Sequence, residues 1–208
     1  MRALIVVDAQ NEFSEGGLRP VPYHDRVLAY IQSRVAEARK LRNPIAWLRH
    51  YNKPSESRAF VPGSWGAELS AGFGPAFEFG PERVFEKDVF GAFYETGLEE
   101  WLRALGANDV LLVGFYTHMC LSTSAREALV RGFNVFIDPD ATGAHDLVDP
   151  VLGSQTADEV RRAALLHLKD MGVAFAKTEL SLEEIMDSRV TIPVNTVARG
   201  FAVDCSQG

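Results

Sequence analysis

The chain opens on a continuous apolar run, Ala3-Leu4-Ile5-Val6-Val7, closed by Asp8. A run this short with no polar alternation predicts a strand buried on both faces, as in a parallel sheet. From about Asp25 to Leu41, apolar residues recur at helical spacing (Val27, Leu28, Ile31, Val35, Ala38, Leu41) with charges on the other side, predicting a helix. Pro44 precedes a second strand at 45–48, and Val84-Phe85 forms a third, leading to Glu86-Lys87. Thr96 and Glu99 have the spacing of a capping box for a helix through Leu105, which Gly106 ends. A fourth strand covers 109–114, a helix about 120–131 stops at Gly132, and a fifth strand covers 135–137. A helix over 154–170 ends at Gly172, and a sixth strand follows at 173–176.

Strands alternating with helices imply parallel βαβ units with right-handed crossovers and a sheet covered on both faces, an α/β class. No linker divides the chain before residue 186, so 1–186 reads as one domain. Residues 187–208 read as a C-terminal extension: Thr191-Ile192-Pro193-Val194 and Phe201-Ala202-Val203 look extended, and they form an added edge strand, pack on a partner subunit or are disordered. Residues 52–82 are rich in Gly, Pro and Ser and read mostly as loop. A loop that long in a compact domain usually lines a site.

The 208 residues carry 21 Lys+Arg against 28 Asp+Glu, a net charge of −7. With 47% hydrophobic and 24% charged residues, the chain has globular rather than disordered composition. The acidic balance disfavours nucleic acid as a partner. No run approaches the ~20 apolar residues that span a bilayer, and the apolar opening is too short for a signal-peptide core. Two cysteines, Cys120 and Cys205, are too few for a disulfide framework. The expected setting is a reducing cytoplasm with no membrane partner, although one Cys120–Cys205 bridge is compatible with the sequence.

In open α/β sheets, ligands bind beyond the carboxyl ends of the strands. Asp8, Lys87 and Cys120 all fall at such ends. Singly, each has a bland explanation: a turn-forming Asp, a surface Lys, a small buried Cys. Together they fit acyl transfer. Cys120 would open a helix, whose unpaired N–H groups and positive dipole end favour a thiolate. Asp8 could take the thiol proton, Lys87 could hold that carboxylate and stabilise negative charge, and the backbone N–H groups of Tyr116 and Cys120 could form an oxyanion hole.

Three segments carry a resemblance. Val7-Asp8-Ala9-Gln10-Asn11-Glu12-Phe13, the stretch from Glu86-Lys87 to Gly91-Ala92-Phe93, and the stretch from Val113-Gly114 through Thr117 and Cys120 to Ala125 are similar to motifs of the isochorismatase-like cysteine hydrolases. Asp138-Pro139-Asp140 fits that family's acidic turn after the fifth strand. The resemblance covers about residues 3–180. It implies a three-layer α/β/α fold around a six-stranded parallel sheet in the order 3-2-1-4-5-6, an Asp8-Lys87-Cys120 triad, a cis peptide between Phe115 and Tyr116, and a homodimer or homotetramer. It also implies hydrolysis of a small amide or carbamoyl compound, with no cofactor.

Metal-binding nicotinamidases carry an Asp-x-His pair after the second strand, with another His beyond. Here that stretch reads Arg49-His50-Tyr51-Asn52-Lys53-Pro54, and the loop to residue 82 has no further His, so no metal is expected. Candidates for contact with substrate are Phe13 and Trp65, as pocket lining or core packing; Arg49, as partner of an anionic group or as structural charge; and His50 and His118, as donors to a carbonyl or as residues satisfied by neighbouring backbone. Gln10 could bond the Asp8 loop or the substrate. Two other functions fit the same residues: an enol-ether hydrolase using Asp8 as acid, and a non-catalytic binding member of the fold.

Overall fold

A computed structural model of the chain describes residues 1–53 and 55–177. The 187–208 extension, and Cys205 with any bridge to Cys120, lie outside the described residues. The six-stranded sheet is built from Arg2–Val7 (β1), Ile45–His50 (β2), Glu82–Lys87 (β3), Asp109–Phe115 (β4), Asn134–Gly143 (β5) and Ala174–Phe175 (β8). Leu147–Asp149 (β6) and Gly153–Gln155 (β7) form a separate antiparallel hairpin. The sheet order is β3-β2-β1-β4-β5-β8, with all neighbours parallel. This is the expected order, with the sixth sheet strand at one edge.

The helices are His24–Lys40 (α1), Leu98–Ala104 (α2), Ser122–Val130 (α3) and Ala157–Asp170 (α4). Side-chain alternation along β1 divides the core. Ala3, Ile5 and Val7 pack with Leu98, Leu102, Ala125, Leu165 and Leu168 on the face covered by α2, α3 and α4. Leu4 and Val6 pack with Val27, Ile31 and Val35 of α1, and with Ala59, Phe60 and Phe73 of the long loop. The fold is therefore three-layered, and the 52–81 segment completes the α1 layer.

Three local readings change. Gly97, at φ +74°, precedes α2, and Thr96 Oγ1 accepts from Leu98 N at 3.2 Å while donating to Ala92 O, so Thr96 and Glu99 form no capping box. That motif forms instead at Thr156 and Glu159, where α4 begins three residues later than the apolar spacing suggests. Asp138-Pro139-Asp140 is no turn but the middle of a longer β5. Its ladder with β4 shifts register between Leu112 and Gly114, and buried Asp138 pairs with Arg34 at 2.7 Å. A charged residue is kept inside a sheet layer here because a guanidinium meets it.

Gly114 lies at the end of β4, opposite Val7, with φ +116°. A Cβ there would stand 1.9 Å from the Val7 carbonyl oxygen. Gly114→Ala should therefore lower stability by about 2–4 kcal/mol in urea unfolding, because both the positive φ and the close approach forbid a side chain. A loss below ~0.5 kcal/mol would mean the two strands separate freely at this point.

Candidate active site

Asp8 leaves β1 in a left-handed conformation, φ +51°, and its N–H still bonds the Leu48 carbonyl of β2 at 3.2 Å. Lys87 is the last residue of β3. The two therefore stand on strands separated by β2, roughly 9.6 Å apart at normal strand spacing. The long Lys87 side chain crosses that gap, and its Nζ lies 2.8 Å from Asp8 Oδ2 with both side chains fully buried. The ammonium also approaches His50 Nδ1 at 3.3 Å and the Val89 carbonyl at 3.2 Å. The Asp8 carboxylate thus meets the Lys87 ammonium on one side and the Cys120 thiol on the other.

Cys120 comes from the other side of β1. The Phe115–Tyr116 peptide after β4 is cis, and a wide π turn, Thr117–Leu121, carries Cys120 into α3. Thr117 Oγ1 bonds Thr142 Oγ1 and the Gly143 carbonyl, and Thr142 bonds the Gly114 carbonyl, tying this turn to β5. The sulfur, an Asp8 carboxylate oxygen and a His50 ring nitrogen all lie within 4.8 Å of one another. The three residues singled out in the sequence thus converge with His50, and Cys120 is 7% exposed.

The electrostatics differ from the expected helix-stabilised thiolate. Burial, and then the Asp8 charge, hold the Cys120 thiol well above its ordinary value, with Lys87 opposing. The thiol rests protonated, hydrogen-bonded to the Asp8 carboxylate. Burial opposes the Lys87 charge, but Asp8 and Cys120 outweigh it and hold the ammonium above its ordinary range. Burial, reinforced by Lys87, keeps His50 below its ordinary value and so neutral.

Asp8, His50 and Cys120 are a donor set that could in principle surround a metal ion. The donors do not fit one: an ammonium already stands against both Asp8 and His50, and His50 Nε2 is engaged by Asn52 Oδ1 at 2.9 Å. Arg49 and Lys53 place further positive charge in the stretch where a metal pair would fall.

The other candidates are placed as follows. Phe13 is buried among the rings of Phe60, Phe115 and Tyr116, at centroid distances of 5.2, 5.1 and 4.7 Å. Trp65 is 54% exposed, and its carbonyl accepts from Asn11 Nδ2. Arg49 alternates to the opposite sheet face from His50 and lies over the Tyr51 ring at 5.0 Å. Among the described residues, no hydrogen bond or ion pair joins Trp65 or Arg49 to Asp8, Lys87 or Cys120. His118 stacks on Tyr116 and meets His145 edge-on, 5.4 and 5.2 Å away. The Gln10 backbone N–H bonds the Asp8 carbonyl at 2.7 Å, while its side chain turns to other backbone partners. Its amide donates to the His50 and Ala67 carbonyls and accepts the His50 N–H, clasping β2 to the long loop.

Sequence reasoning missed two carboxylates that shape these loops. Buried Glu12 accepts the Leu18 N–H at 2.6 Å and the Phe60 N–H at 3.1 Å, and Gly66 packs so closely that a Cβ would stand 1.9 Å from Glu12 Oε2. Glu127 accepts the Phe93 N–H, holding the loop after Lys87. Glu12 lies within the first motif, four residues past Asp8 and directly before Phe13, and that position was the available signal. Glu127 offered none beyond an ordinary helical charge.

The isochorismatase domain family matches residues 2–179. The chain is 30% identical over 176 residues to nicotinamidase 3 of Arabidopsis thaliana, covering 80% of this chain and 79% of that protein. It is 31% identical over 147 residues to streptothricin hydrolase of Streptomyces noursei, covering 71% of this chain and 56% of that protein. An isochorismatase of Pseudomonas putida, solved by crystallography, matches with a TM-score of 0.77 and 28% identity over 85% of this chain and 87% of its own.

Burial and neighbouring His145 push His118 down from 6.5 to about 4. Between those values the unfolded chain binds more protons than the folded one, so stability falls as pH drops through that window. His24 and His50 are shifted the same way and add to the slope. His118→Phe should flatten the stability–pH curve between about pH 6.5 and 4 in urea titrations; a slope equal to the wild type's would show that His118 titrates normally.

Proposed function

The chain belongs to the isochorismatase family of hydrolases, and on that premise we propose that it cleaves a small amide or carbamoyl C–N bond through a Cys120 acyl-enzyme. The observation that carries this reading is the buried Asp8–Lys87 pair, 2.8 Å apart, with the Cys120 sulfur within 4.8 Å of the carboxylate. The reading is further supported by relatives named nicotinamidase and streptothricin hydrolase.

In this mechanism the neutral thiol gives its proton to Asp8 as sulfur attacks the carbonyl carbon. Deprotonation is thereby coupled to bond formation, and no free thiolate has to persist in a buried site. Lys87 offsets the negative charge that passes from Asp8 to sulfur and then to the carbonyl oxygen. That oxygen lies against the Tyr116 and Cys120 backbone N–H groups; Tyr116 N–H has no described acceptor, while the Tyr116 carbonyl is occupied by Met119 and Leu121. The C–N bond breaks as Asp8 returns the proton to the leaving nitrogen, releasing ammonia or an amine. Water then loses a proton to Asp8, attacks the thioester and frees the acid, and the proton returns to sulfur. The family resemblance also supports a cytoplasmic homodimer or homotetramer that needs no cofactor.

An ammonia-release screen over small primary amides, ureides and carbamoyl acids, run with and without chelator, is expected to find turnover that chelation leaves unchanged. Mass spectrometry on the substrate found should trap an acyl adduct on Cys120. Cys120→Ala should lose the adduct and at least ~100-fold in rate, and Asp8→Asn a comparable amount. Adduct persisting in Cys120→Ala would end this mechanism. Turnover retained there but lost in Asp8→Asn would fit enol-ether cleavage instead.

A further inference from the structure

We propose that His50 is a positioning residue for this reaction: its Nδ1 lone pair accepts an N–H of the Lys87 ammonium, and Asn52 fixes the imidazole tautomer that leaves that lone pair free. The inference rests on the reading of Asp8, Lys87 and Cys120 given above.

A chain of hydrogen bonds assigns each proton. The Asn52 side-chain NH2 donates to the Ala59 carbonyl at 3.0 Å, which turns its Oδ1 toward His50. Oδ1 can only accept, so Nε2 of His50 carries the hydrogen across the 2.9 Å contact. In the neutral ring Nδ1 is then bare, 3.3 Å from Lys87 Nζ. The imidazole is buried, with Phe60 edge-on at 5.2 Å. An ammonium has three N–H bonds. Asp8 Oδ2, the Val89 carbonyl and His50 Nδ1 lie 2.8, 3.2 and 3.3 Å from Nζ, and the Cys120 sulfur is a further partner, so His50 is one of the four groups around the ammonium and the one neutral side chain with a fixed lone pair.

The sheet explains why His50 is among these acceptors. In register, His50 stands opposite Lys87, on the strand that the lysine must cross to reach Asp8. Removing the Nδ1 acceptor would leave a buried cation with weaker hydrogen bonding. That favours the neutral amine, and a neutral Lys87 no longer offsets an anion on sulfur. The result would be a less reactive thiol, whatever the substrate.

The test is the rate of Cys120 alkylation by iodoacetamide at neutral pH on the full chain, read by peptide mass spectrometry so that Cys205 is scored separately. His50→Leu should slow Cys120 by about tenfold, the scale of a lost hydrogen bond to a charge. His50→Asn, whose Oδ1 replaces Nδ1 as acceptor, should recover most of the rate. A residue that only fills space would not distinguish the two, since both variants remove the ring. His50→Leu reacting at the wild-type rate, or His50→Asn as slow as His50→Leu, overturns the proposal. Lys87→Ala separates the levels. If it too reacts at the wild-type rate, the reading of the whole site fails; if it slows while His50→Leu does not, the role of His50 alone fails.

Discussion

A cation and an anion held entirely out of water, Lys87 and Asp8 at 2.8 Å, are the constraint around which the rest of this molecule is arranged. Desolvating both is expensive, and their attraction compensates only when the remaining hydrogen-bonding capacity is also met. On the lysine it is met by Asp8, His50 and the Val89 carbonyl, with the Cys120 sulfur as a further partner. On the aspartate it is met by the ammonium and the thiol. On the proposed mechanism the ammonium stays fixed as a charge while the carboxylate takes the proton of the thiol facing it.

Holding such a pair demands that loops beyond the strand ends stay in place, and other buried polar groups do that work. Gln10 ties the end of β2 to the long loop through three hydrogen bonds. Glu12 ties that loop to the segment after β1, and Glu127 holds the segment that supplies the Val89 carbonyl. Each is a side chain accepting from or donating to backbone, so the loops acquire partners that a ladder would otherwise provide. The 52–81 segment is in this sense part of the core: Ala59, Phe60 and Phe73 pack with α1 while its backbone is pinned from Gln10 and Glu12.

The layer order and the convergence of Asp8, Lys87 and Cys120 were legible in the sequence, because buried parallel strands are written as continuous apolar runs and reactive residues stood at their ends. What stayed hidden depends on partners distant in sequence. Asp138-Pro139-Asp140 reads as a turn until Arg34, 104 residues away, is seen to neutralise it within β5. The Thr96–Glu99 spacing matched a capping box, but Gly97 takes the left-handed position before α2 and the box forms at Thr156. His50 reads as a donor to a substrate carbonyl or as a residue satisfied by backbone, since neither Lys87 nor Asn52 could be placed against its two nitrogens without the β2–β3 register. Phe13 reads as pocket lining or core packing, and it packs among three aromatic rings beside the cis peptide.

The protonation state of Cys120 shows how the two levels meet. A helix start favours a thiolate on local grounds, and the sequence offers that local ground. In three dimensions, burial and a carboxylate push the other way and win, because desolvation of a small anion outweighs a partial dipole charge. On the proposed mechanism, a site built like this forms its anion only when the carbon that will receive it is present, so base, counter-charge and oxyanion donors have to be in position beforehand. That reading accounts for the many buried polar groups that hold backbone and Lys87.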